Sequence, residues 1–245
     1  MSIEEENSVI EEQTTLDKIK NADKEIKIVF CVFGEDITSD FLRSWSELFG
    51  YCLKNNIKPI LSNTNIKTNI FTSKLNCLLG EPVNSIPFQG KIDYDYILFL
   101  NSSSVFSINN FISLMNSDKN IVSGVSTNSG NLHLSNFIEK IDENDEEWHK
   151  KTNFTSLEQL DAYKKNDNLL KVDYVDINFM LIKKNVIENL KYPWFQMNTQ
   201  TGDISGDLHF MLLCKQAKLD VYVLLDTAIG VQRRLVVYLW KKIFY

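Results

Sequence analysis

The sequence predicts an α/β protein built on a mostly parallel central sheet that is flanked by helices. Residues 96–100 form a continuous apolar run, the pattern of a strand that is buried on both of its faces. From residue 26 to residue 125, β-branched and aromatic runs alternate with amphipathic segments, as expected when helices connect parallel strands. With 245 residues, 44% of them hydrophobic, the chain can bury the core of one large domain.

Seven elements are predicted in the first half of the chain. They are a strand at 26–33, a helix at 40–54, a strand at 59–61, a helix at 68–79, a strand at 96–100, a helix at 108–115 and a strand at 121–125. The first strand is rich in β-branched and aromatic residues, and either Thr38 or Ser39 can cap the helix that follows it. Gly80 and Pro82 end the second helix.

The second half is less regular, and five further elements are predicted there. They are a helix at 155–165, strands at 172–175 and 179–182, a helix at 207–218 and a strand at 221–225. Thr155 and Glu158 have the spacing of a capping box at the start of the first of these helices. The polar stretch 126–153 predicts loops and an exposed helix. We therefore expect an acidic N-terminal tail at 1–25, one domain at 26–234 and a basic, aromatic segment at 235–245.

Charge and cysteine content exclude several classes of protein. The net charge of −6 and the pI near 5.2 argue against general nucleic-acid binding. The cysteines are widely spaced in apolar surroundings, which predicts buried free thiols and a reducing compartment: Cys31, Cys52, Cys77 and Cys214. The sequence shows neither a signal-peptide pattern nor an apolar run of about 18 residues. We expect a soluble cytoplasmic or intracellular protein, or a component of a larger assembly such as a virus particle.

The end of the central strand is the predicted functional site. Four small polar residues, 101–104, follow the apolar run directly, and ligands of open α/β sheets bind beyond the carboxyl ends of the strands. The position suits a metal ion, yet no carboxylate stands there. A ligand site and a plain polar turn are both open interpretations.

The order of these segments resembles the nucleotide-sugar-dependent glycosyltransferases of the GT-A fold, and among them the compact, single-domain, family-2-like enzymes. The resemblance covers residues 26–234 and rests on eight segments taken together: the opening strand with Gly34, then 41–45, 74–78, 91–96, 179–183, 192–195, 206–207 and 226–229. It implies a GT-A-like single domain and a nucleotide-diphospho-sugar as the ligand.

The resemblance also implies a metal site that this sequence lacks in part. In the family an Asp-x-Asp motif holds Mn²⁺ or Mg²⁺ against the diphosphate, and the matching positions here are Asn101, Ser102 and Ser103. Arg233 lies where a late histidine ligand is expected, and a guanidinium pairs well with a diphosphate. Asp207 matches the catalytic base, and the alternative interpretation, an acidic N-cap of the helix that follows, is the favoured one. No cofactor is expected, and Mn²⁺ or Mg²⁺ only if this degenerate site still binds a metal.

The remaining site residues also follow from the resemblance. Gly34, Glu35, Ser62 and Lys74 match positions near the nucleotide, and Trp194 matches an acceptor platform. Each has a structural alternative: a turn glycine at position 34, a surface lysine at position 74, and an aromatic core residue at position 194. The histidines share no metal-ligand spacing: His133, His149 and His209.

Three functional interpretations are consistent with these observations. The first is a glycosyltransferase-like domain whose metal-dependent transfer is weakened or lost, with a structural or binding role, in a viral assembly for example. The alternative is an active inverting glycosyltransferase that works without a standard metal site, in which Arg233 or Lys74 stabilises the departing diphosphate. The third possibility is an α/β domain that binds neither a sugar nor a nucleotide. The segment 235–245 predicts contact with a protein partner, with an anionic membrane surface, or with the domain itself.

Overall fold

A computed structural model describes most of the chain between residues 25 and 231. The described residues are 25–34, 36–63, 70–78, 86–128, 131–141, 154–164, 168–197 and 206–231. The predicted tail at 1–25 lies outside them except for its last residue, and the segment 235–245 lies wholly outside them.

Five α-helices are present in the described part of the chain: α1 (Ser39–Lys54), α2 (Ile70–Cys77), α3 (Ile108–Asn116), α4 (Leu157–Lys164) and α5 (Asp207–Gln216). The strands of the main sheet are β1 (Ile26–Phe33), β2 (Ile57–Asn63), β3 (Tyr96–Asn101), β5 (Ile121–Val125), β9 (Leu169–Val172), β11 (Phe179–Lys183) and β12 (Val221–Ala228). Short strands complete the set: β4 (Ser104–Val105), β6 (Thr127–Asn128), β7 (Asn131–Ser135), β8 (Phe137–Ile138), β10 (Tyr174–Val175) and β13 (Gly230–Val231).

The central sheet has seven strands in the order β2-β1-β3-β11-β5-β12-β9. Five of them run parallel to one another, whereas β11 and β9 run antiparallel to their neighbours. The predicted α/β class with a mostly parallel sheet is therefore confirmed. Because the antiparallel β11 pairs with β3, the residues that precede β11 lie at the carboxyl end of β3.

Helices cover both faces of the sheet, and alternate residues of β1 divide the core between them. Ile28, Phe30 and Val32 pack with apolar residues of α1 and α3. Val29, Cys31 and Phe33 face the other way, toward residues of α2, α4 and α5. The strand is thus buried on both faces, as its unbroken apolar sequence predicts.

Helix starts follow ordinary capping chemistry. The Thr38 side chain accepts a hydrogen bond from the Phe41 amide at 3.2 Å, so Thr38 rather than Ser39 caps α1. Ser107 and Asn110 form a capping box at the start of α3. Gly206 precedes α5 in the left-handed conformation, with φ of 75° and no side chain to cap the helix.

Three expectations were wrong in the described part of the second half. The predicted strand at 172–175 is divided between β9 and β10, and the capping box of α4 is formed by Ser156 and Gln159 and not by Thr155 and Glu158. The stretch 126–153 was expected to form loops and a helix, but its described residues form β6, β7 and β8. β6 and β8 have only two residues each, too few for a periodic pattern to reveal them. Residues 142–153 lie outside the described part. No helix within the described residues is long and apolar enough to cross a membrane.

Candidate functional site

The carboxyl ends of β1, β2 and β3 meet at one edge of the sheet. In the strand register Val32 lies beside Asn63, and Phe33 lies beside Asn101. Gly34, Ser62 and the turn 101–104 therefore come together, as the sequence predicts for the candidate site.

The turn after β3 is closed by its own hydrogen bonds. The Asn101 Oδ1 atom accepts from the Ser103 amide at 3.0 Å and from the Ser103 hydroxyl at 2.8 Å. The Asn101 amide nitrogen Nδ2 donates to Asn178 Oδ1 at 3.3 Å. Ser102 Oγ donates to the Asp36 carbonyl at 2.7 Å. The polar side chains of the turn thus bind protein atoms.

Asn178 organises this edge of the sheet, and the sequence interpretation missed that role. Its carbonyl accepts from the Asn101 backbone amide at 2.9 Å and from Ser104 Oγ at 3.3 Å. Its side-chain amide donates to Ser126 Oγ at 3.3 Å. Asn136 extends the network, because its Oδ1 accepts from the Ser126 amide at 2.9 Å. The sequence does contain one signal for this role, because Asn178 is a polar residue directly before the buried strand β11.

The donor chemistry of this turn does not suit a divalent cation. Mg²⁺ and Mn²⁺ prefer charged oxygen ligands, whereas Asn101, Ser102 and Ser103 are neutral. The side-chain oxygen Oδ1 of Asn101 already accepts two hydrogen bonds from Ser103. In the described part of the chain, no group of three or more His, Cys, Asp or Glu side chains could hold a metal ion.

Lys74 and Asp207 form a buried ion pair. The Lys74 ammonium donates to Asp207 Oδ1, and only 1% of the Lys74 residue and 3% of the Asp207 residue are exposed. The second carboxylate oxygen of Asp207 accepts the Ile177 amide at 3.1 Å. Lys74 Nζ also lies 5.0 Å from the centre of the Phe33 ring. The surface-lysine alternative for Lys74 was therefore wrong.

The ion pair changes what Asp207 can do chemically. A general base needs a carboxylate oxygen within reach of the acceptor hydroxyl. In this structure both oxygens of Asp207 bind protein donors, one from α2 and one from the segment before β11. Asp207 is also almost fully buried, so a ligand hydroxyl could reach its carboxylate only if the structure around the ion pair opened.

Gly34 is fixed by the turn that it contacts. Its φ is +135°, and a Cβ added at this position would lie 2.1 Å from Ser102 Oγ. The Ser102 amide also donates to the Phe33 carbonyl at 2.7 Å. This close approach of β1 to the 101–104 turn leaves no room for a side chain at position 34.

Ser62 and two cysteines join β1 and β2 to α2. Ser62 Oγ donates to the Cys77 carbonyl at 2.6 Å, and the Cys77 thiol donates to the Val32 carbonyl at 3.3 Å. The Cys31 thiol is fully buried next to Cys77, and burial raises its pKa well above the ordinary range. The Cys31 sulfur is therefore a protonated packing group at neutral pH.

Trp194 lies in the core cluster and is fully buried. Its ring meets Tyr192 edge to face, with the ring centres 5.3 Å apart. Its indole Nε1 is buried and has no hydrogen-bond partner. The ring offers no open face for an acceptor sugar to stack on.

The other predicted site residues cannot be placed. Glu35 and Arg233 lie outside the described residues, and so does His149. Of the histidines, His209 is held by a 3.0 Å contact between its Nε2 and the Pro193 carbonyl.

The fold resembles two solved structures at low sequence identity. A197 from STIV matches with a TM-score of 0.50 and 15% identity, over 86% of this chain and 96% of that chain. GalNAc-T7 matches with a TM-score of 0.52 and 10% identity, over 86% of this chain. The match covers 44% of the GalNAc-T7 chain, so this chain corresponds to less than half of that protein. No protein-family model and no curated protein sequence matches.

These similarities, together with the strand order, show a GT-A-like fold. The fold class that the sequence predicts is confirmed. At identities of 15% and below, the similarities show the fold alone.

Proposed function

We propose that this chain is a GT-A glycosyltransferase-like domain that has lost metal-dependent sugar transfer and keeps a binding role for a nucleotide-diphospho-sugar. The observation that carries the proposal is the buried ion pair between Lys74 and Asp207. It holds the residue that matches the catalytic base in a contact within the protein. It also places a fixed positive charge in the same buried cluster.

The turn after β3 supports the same conclusion. Replacing two carboxylates by an amide and a hydroxyl removes two negative charges, and with them the strongest ligands for Mn²⁺. The side chains at Asn101 and Ser103 instead bond to each other, which stabilises the turn without an ion. The structure of GalNAc-T7, in contrast, contains UDP, GalNAc and Mn²⁺.

A thermal-shift titration tests the binding role. UDP, GDP and their sugar conjugates are added with and without Mn²⁺, because a ligand that binds only the folded state raises the melting temperature. We expect at least one nucleotide-diphospho-sugar to stabilise the protein equally with and without Mn²⁺. Stabilisation by none of these ligands would refute the binding role.

A pair of double variants separates the site from general charge effects. Replacing Lys74 with Met and Asp207 with Leu removes both charges of the buried pair and should abolish the ligand-induced shift. Lys171 and Asp220 form an exposed pair at 2.6 Å, at the edge strand β9 and the start of β12. The same two replacements there should leave the ligand-induced shift unchanged.

A second candidate function, an active inverting glycosyltransferase without a standard metal site, is favoured by the position of Lys74. If a diphosphate took Lys74 away from Asp207, the lysine would offset part of the negative charge of the diphosphate and the Asp207 carboxylate would be freed for proton transfer. The distinguishing measurement is hydrolysis of the sugar donor. Hydrolysis that Asp207→Asn abolishes would establish this alternative and refute the loss of transfer.

The setting of the binding role is a further part of the proposal. We propose a virus particle as the setting; the fold match to A197 from STIV shows only that a viral protein has a similar fold. Mass spectrometry of purified particles from the source of this sequence would test it. Absence of the chain from such particles would refute that setting and leave the ligand-binding role intact.

A further inference from the structure

One side of α1 carries an exposed, mostly apolar stripe. The exposed fractions are 54% for Leu42, 37% for Phe49 and 63% for Leu53. Ser46 lies among them and is also exposed. Along the sequence the four residues are separated by four, three and four positions, which places them within about 60° of one another around the helix. We call Leu42, Ser46, Phe49 and Leu53 the α1 stripe.

The spacing of the α1 stripe is that of a seam between two packed helices. In a coiled coil, the positions that face the partner helix are separated alternately by four and three residues. The charged residues of α1 lie outside the stripe: Asp40, Arg43, Glu47 and Lys54. Contiguous exposed apolar surface marks a binding surface, whereas isolated exposed leucines do not. The stripe therefore has the pattern of a surface that packs against another helix.

The polar side chain of the stripe is satisfied within the helix. The Ser46 hydroxyl donates to the Leu42 carbonyl at 2.8 Å, so it does not need water as an acceptor. The Phe49 ring packs against the half-buried Trp45 ring with 5.8 Å between centres, and the Trp45 ring meets Phe30 of β1 at 4.9 Å. The large ring of the stripe is thus held in place, and covering Ser46 costs no hydrogen bond.

Two copies of the stripe fit each other when their helices run antiparallel. With the two-fold axis between positions 47 and 48, Leu42 of one copy faces Leu53 of the other. In the same arrangement Ser46 faces Phe49, so each large ring meets a small side chain. A parallel pair would set Phe49 against Phe49 and Ser46 against Ser46, which crowds one layer and leaves a void in another. The size pattern of the stripe therefore favours the antiparallel pair.

The neighbouring sheet edge favours pairing through helices over pairing through strands. β2 is an edge strand of the central sheet, but Pro59 in the middle of it has no N–H to donate to a strand of another copy. Leu61 of β2 is 52% exposed. It lies beside Phe30 in the strand register and so points to the α1 face of the sheet. Leu61 therefore enlarges the apolar surface on the side of the sheet that carries the stripe.

We propose that α1 is a homodimerisation surface, on which the stripes of two copies of this chain pack antiparallel across a two-fold axis. The occupant is a second copy because the stripe matches itself layer by layer, leucine with leucine and serine with phenylalanine. Four layers make a small interface, which is typical of a weak and transient association. We expect dimers that dissociate on dilution, with a Kd of about 1–100 µM. This dimer requires no nucleotide ligand.

Sedimentation velocity of the full chain tests the association. Between about 2 and 400 µM, the sedimentation coefficient should rise from the monomer value toward the dimer value. Phe49→Glu and Leu53→Glu should each keep the protein monomeric, because each places a charge in the seam. Leu212→Glu is the matched control, at a 42% exposed residue of α5 on the other face of the sheet, and should dimerise like the wild type. A wild type that stays monomeric, or dimers that neither stripe variant weakens, would overturn the proposal.

Engineered cysteines test the direction of the two helices. Within one chain, positions 42 and 53 lie about 17 Å apart along α1, which is too far for a disulfide. After oxidation with diamide, a mixture of Leu42→Cys and Leu53→Cys should give a covalent dimer, whereas each variant alone should not. The wild type, whose four cysteines are buried, gives the background. Covalent dimers from each variant alone would indicate a parallel pair, and no covalent dimer from the mixture would exclude the contact; either result overturns the proposal.

An exchange of side-chain size tests the central layers. Ser46→Phe alone puts two phenylalanines into each central layer, so the Kd should rise by about tenfold or more. Adding Phe49→Ser to the same chain restores one large and one small side chain in each layer. The double variant should therefore recover most of the lost affinity, which sedimentation velocity measures. A double variant that dimerises no better than Ser46→Phe would overturn the pairing of Ser46 with Phe49 and with it the proposed dimer.

Discussion

Lys74 and Asp207 lie 133 positions apart in the sequence, yet their side chains form a buried ion pair. The pair joins α2, which packs on β1, to the first residue of α5. The Ile177 amide binds the same carboxylate and adds the segment that leads into β11. One contact thus ties three parts of the chain together at the candidate site.

The stability of the fold should depend strongly on this pair. Lys74→Met leaves the Asp207 carboxylate buried without its cation, and breaking a buried pair in this way costs roughly 3–5 kcal/mol. The double variant Lys74→Met with Asp207→Leu removes both charges and should recover a large part of that loss. Urea unfolding of the wild type, both single variants and the double variant measures the coupling.

The exposed pair of Lys171 and Asp220 provides the control. Its side chains are 61% and 48% exposed, so Lys171→Met should cost about 1 kcal/mol or less. A loss for Lys74→Met as small as the loss for Lys171→Met would contradict a structural role for the buried pair.

Gly34 should tolerate no side chain. Gly34→Ala places a methyl group 2.1 Å from Ser102 Oγ and keeps a φ of +135° that alanine disfavours. We expect a loss of about 2 kcal/mol or more in the free energy of unfolding, because strain and overpacking add. Urea unfolding measures it.

Gly50, in the middle of α1, is the matched position. No atom lies within 4 Å of a Cβ added there. Gly50→Ala should therefore stabilise the protein by about 0.5–1 kcal/mol through helix propensity. Equal effects at the two glycines would show that the contact between Gly34 and Ser102 has no energetic weight.

The fold was predictable because its signals are local. The apolar run before Asn101 predicts that β3 is buried on both faces, and β3 is buried in the structure. The alternation of strands and helices up to residue 125 predicts parallel strands, and the central sheet is mostly parallel. The two-residue strands β4, β6 and β13 were not predictable. Their pairing depends on partners far along the chain, for example Gly230 with Val105, and not on a periodic pattern.

The candidate site was predictable in its location but not in its contacts. Sequence order places Lys74 and Asp207 on different helices, and nothing local indicates that their side chains meet. A lysine is rarely buried, so a surface position was the reasonable expectation. The role of Asn178 was missed for a similar reason, since its carbonyl binds the turn only because β11 lies beside β3.

Two carboxylates introduced at the end of β3 should make the melting temperature respond to Mn²⁺. Asn101→Asp with Ser103→Asp creates an Asp-x-Asp sequence at the end of β3. We expect a lower melting temperature in EDTA, because two like charges lie close together, and recovery with Mn²⁺ by several degrees. The wild type should not respond to Mn²⁺.

The control for this gain uses the same spacing elsewhere. Asn116→Asp forms an Asp-x-Asp sequence with Asp118 on the exposed turn after α3. This variant should show no recovery with Mn²⁺. An equal recovery of the melting temperature at both positions would mean that Mn²⁺ binds any pair of aspartates with this spacing, and that the end of β3 is not a special metal site.

The cysteine thiols should be inert in the folded protein. Four free cysteines are buried in the described part of the chain, and burial raises the pKa of both Cys52 and Cys214 to about 12. At pH 8 these thiols are protonated and shielded, so we expect no rapid reaction with Ellman's reagent. In denaturant all four thiols should react.

An introduced thiol calibrates that assay. Leu212→Cys adds an exposed thiol on α5, which should react at once in the native state. Rapid reaction of the wild type, or fewer than four reactive thiols after denaturation, would contradict four buried free cysteines.

The pH dependence of stability should show the contribution of Asp93. Its carboxylate accepts from Lys184 at 2.8 Å and from Lys27 at 2.7 Å, and these two hydrogen bonds hold its pKa well below the ordinary range. A lowered pKa means that the unfolded state binds the proton more tightly. The contribution is therefore complete above about pH 5 and declines as the pH falls through about 3.9, the value for an unfolded aspartate.

Urea unfolding of the wild type and Asp93→Asn from pH 7 to pH 3.5 should show a stability difference that shrinks at the acid end. Because Asp93 is 64% exposed, 0.5 M NaCl should also shrink the difference at pH 7. A difference that does not change with pH would mean that Asp93 contributes through packing and not through its charge.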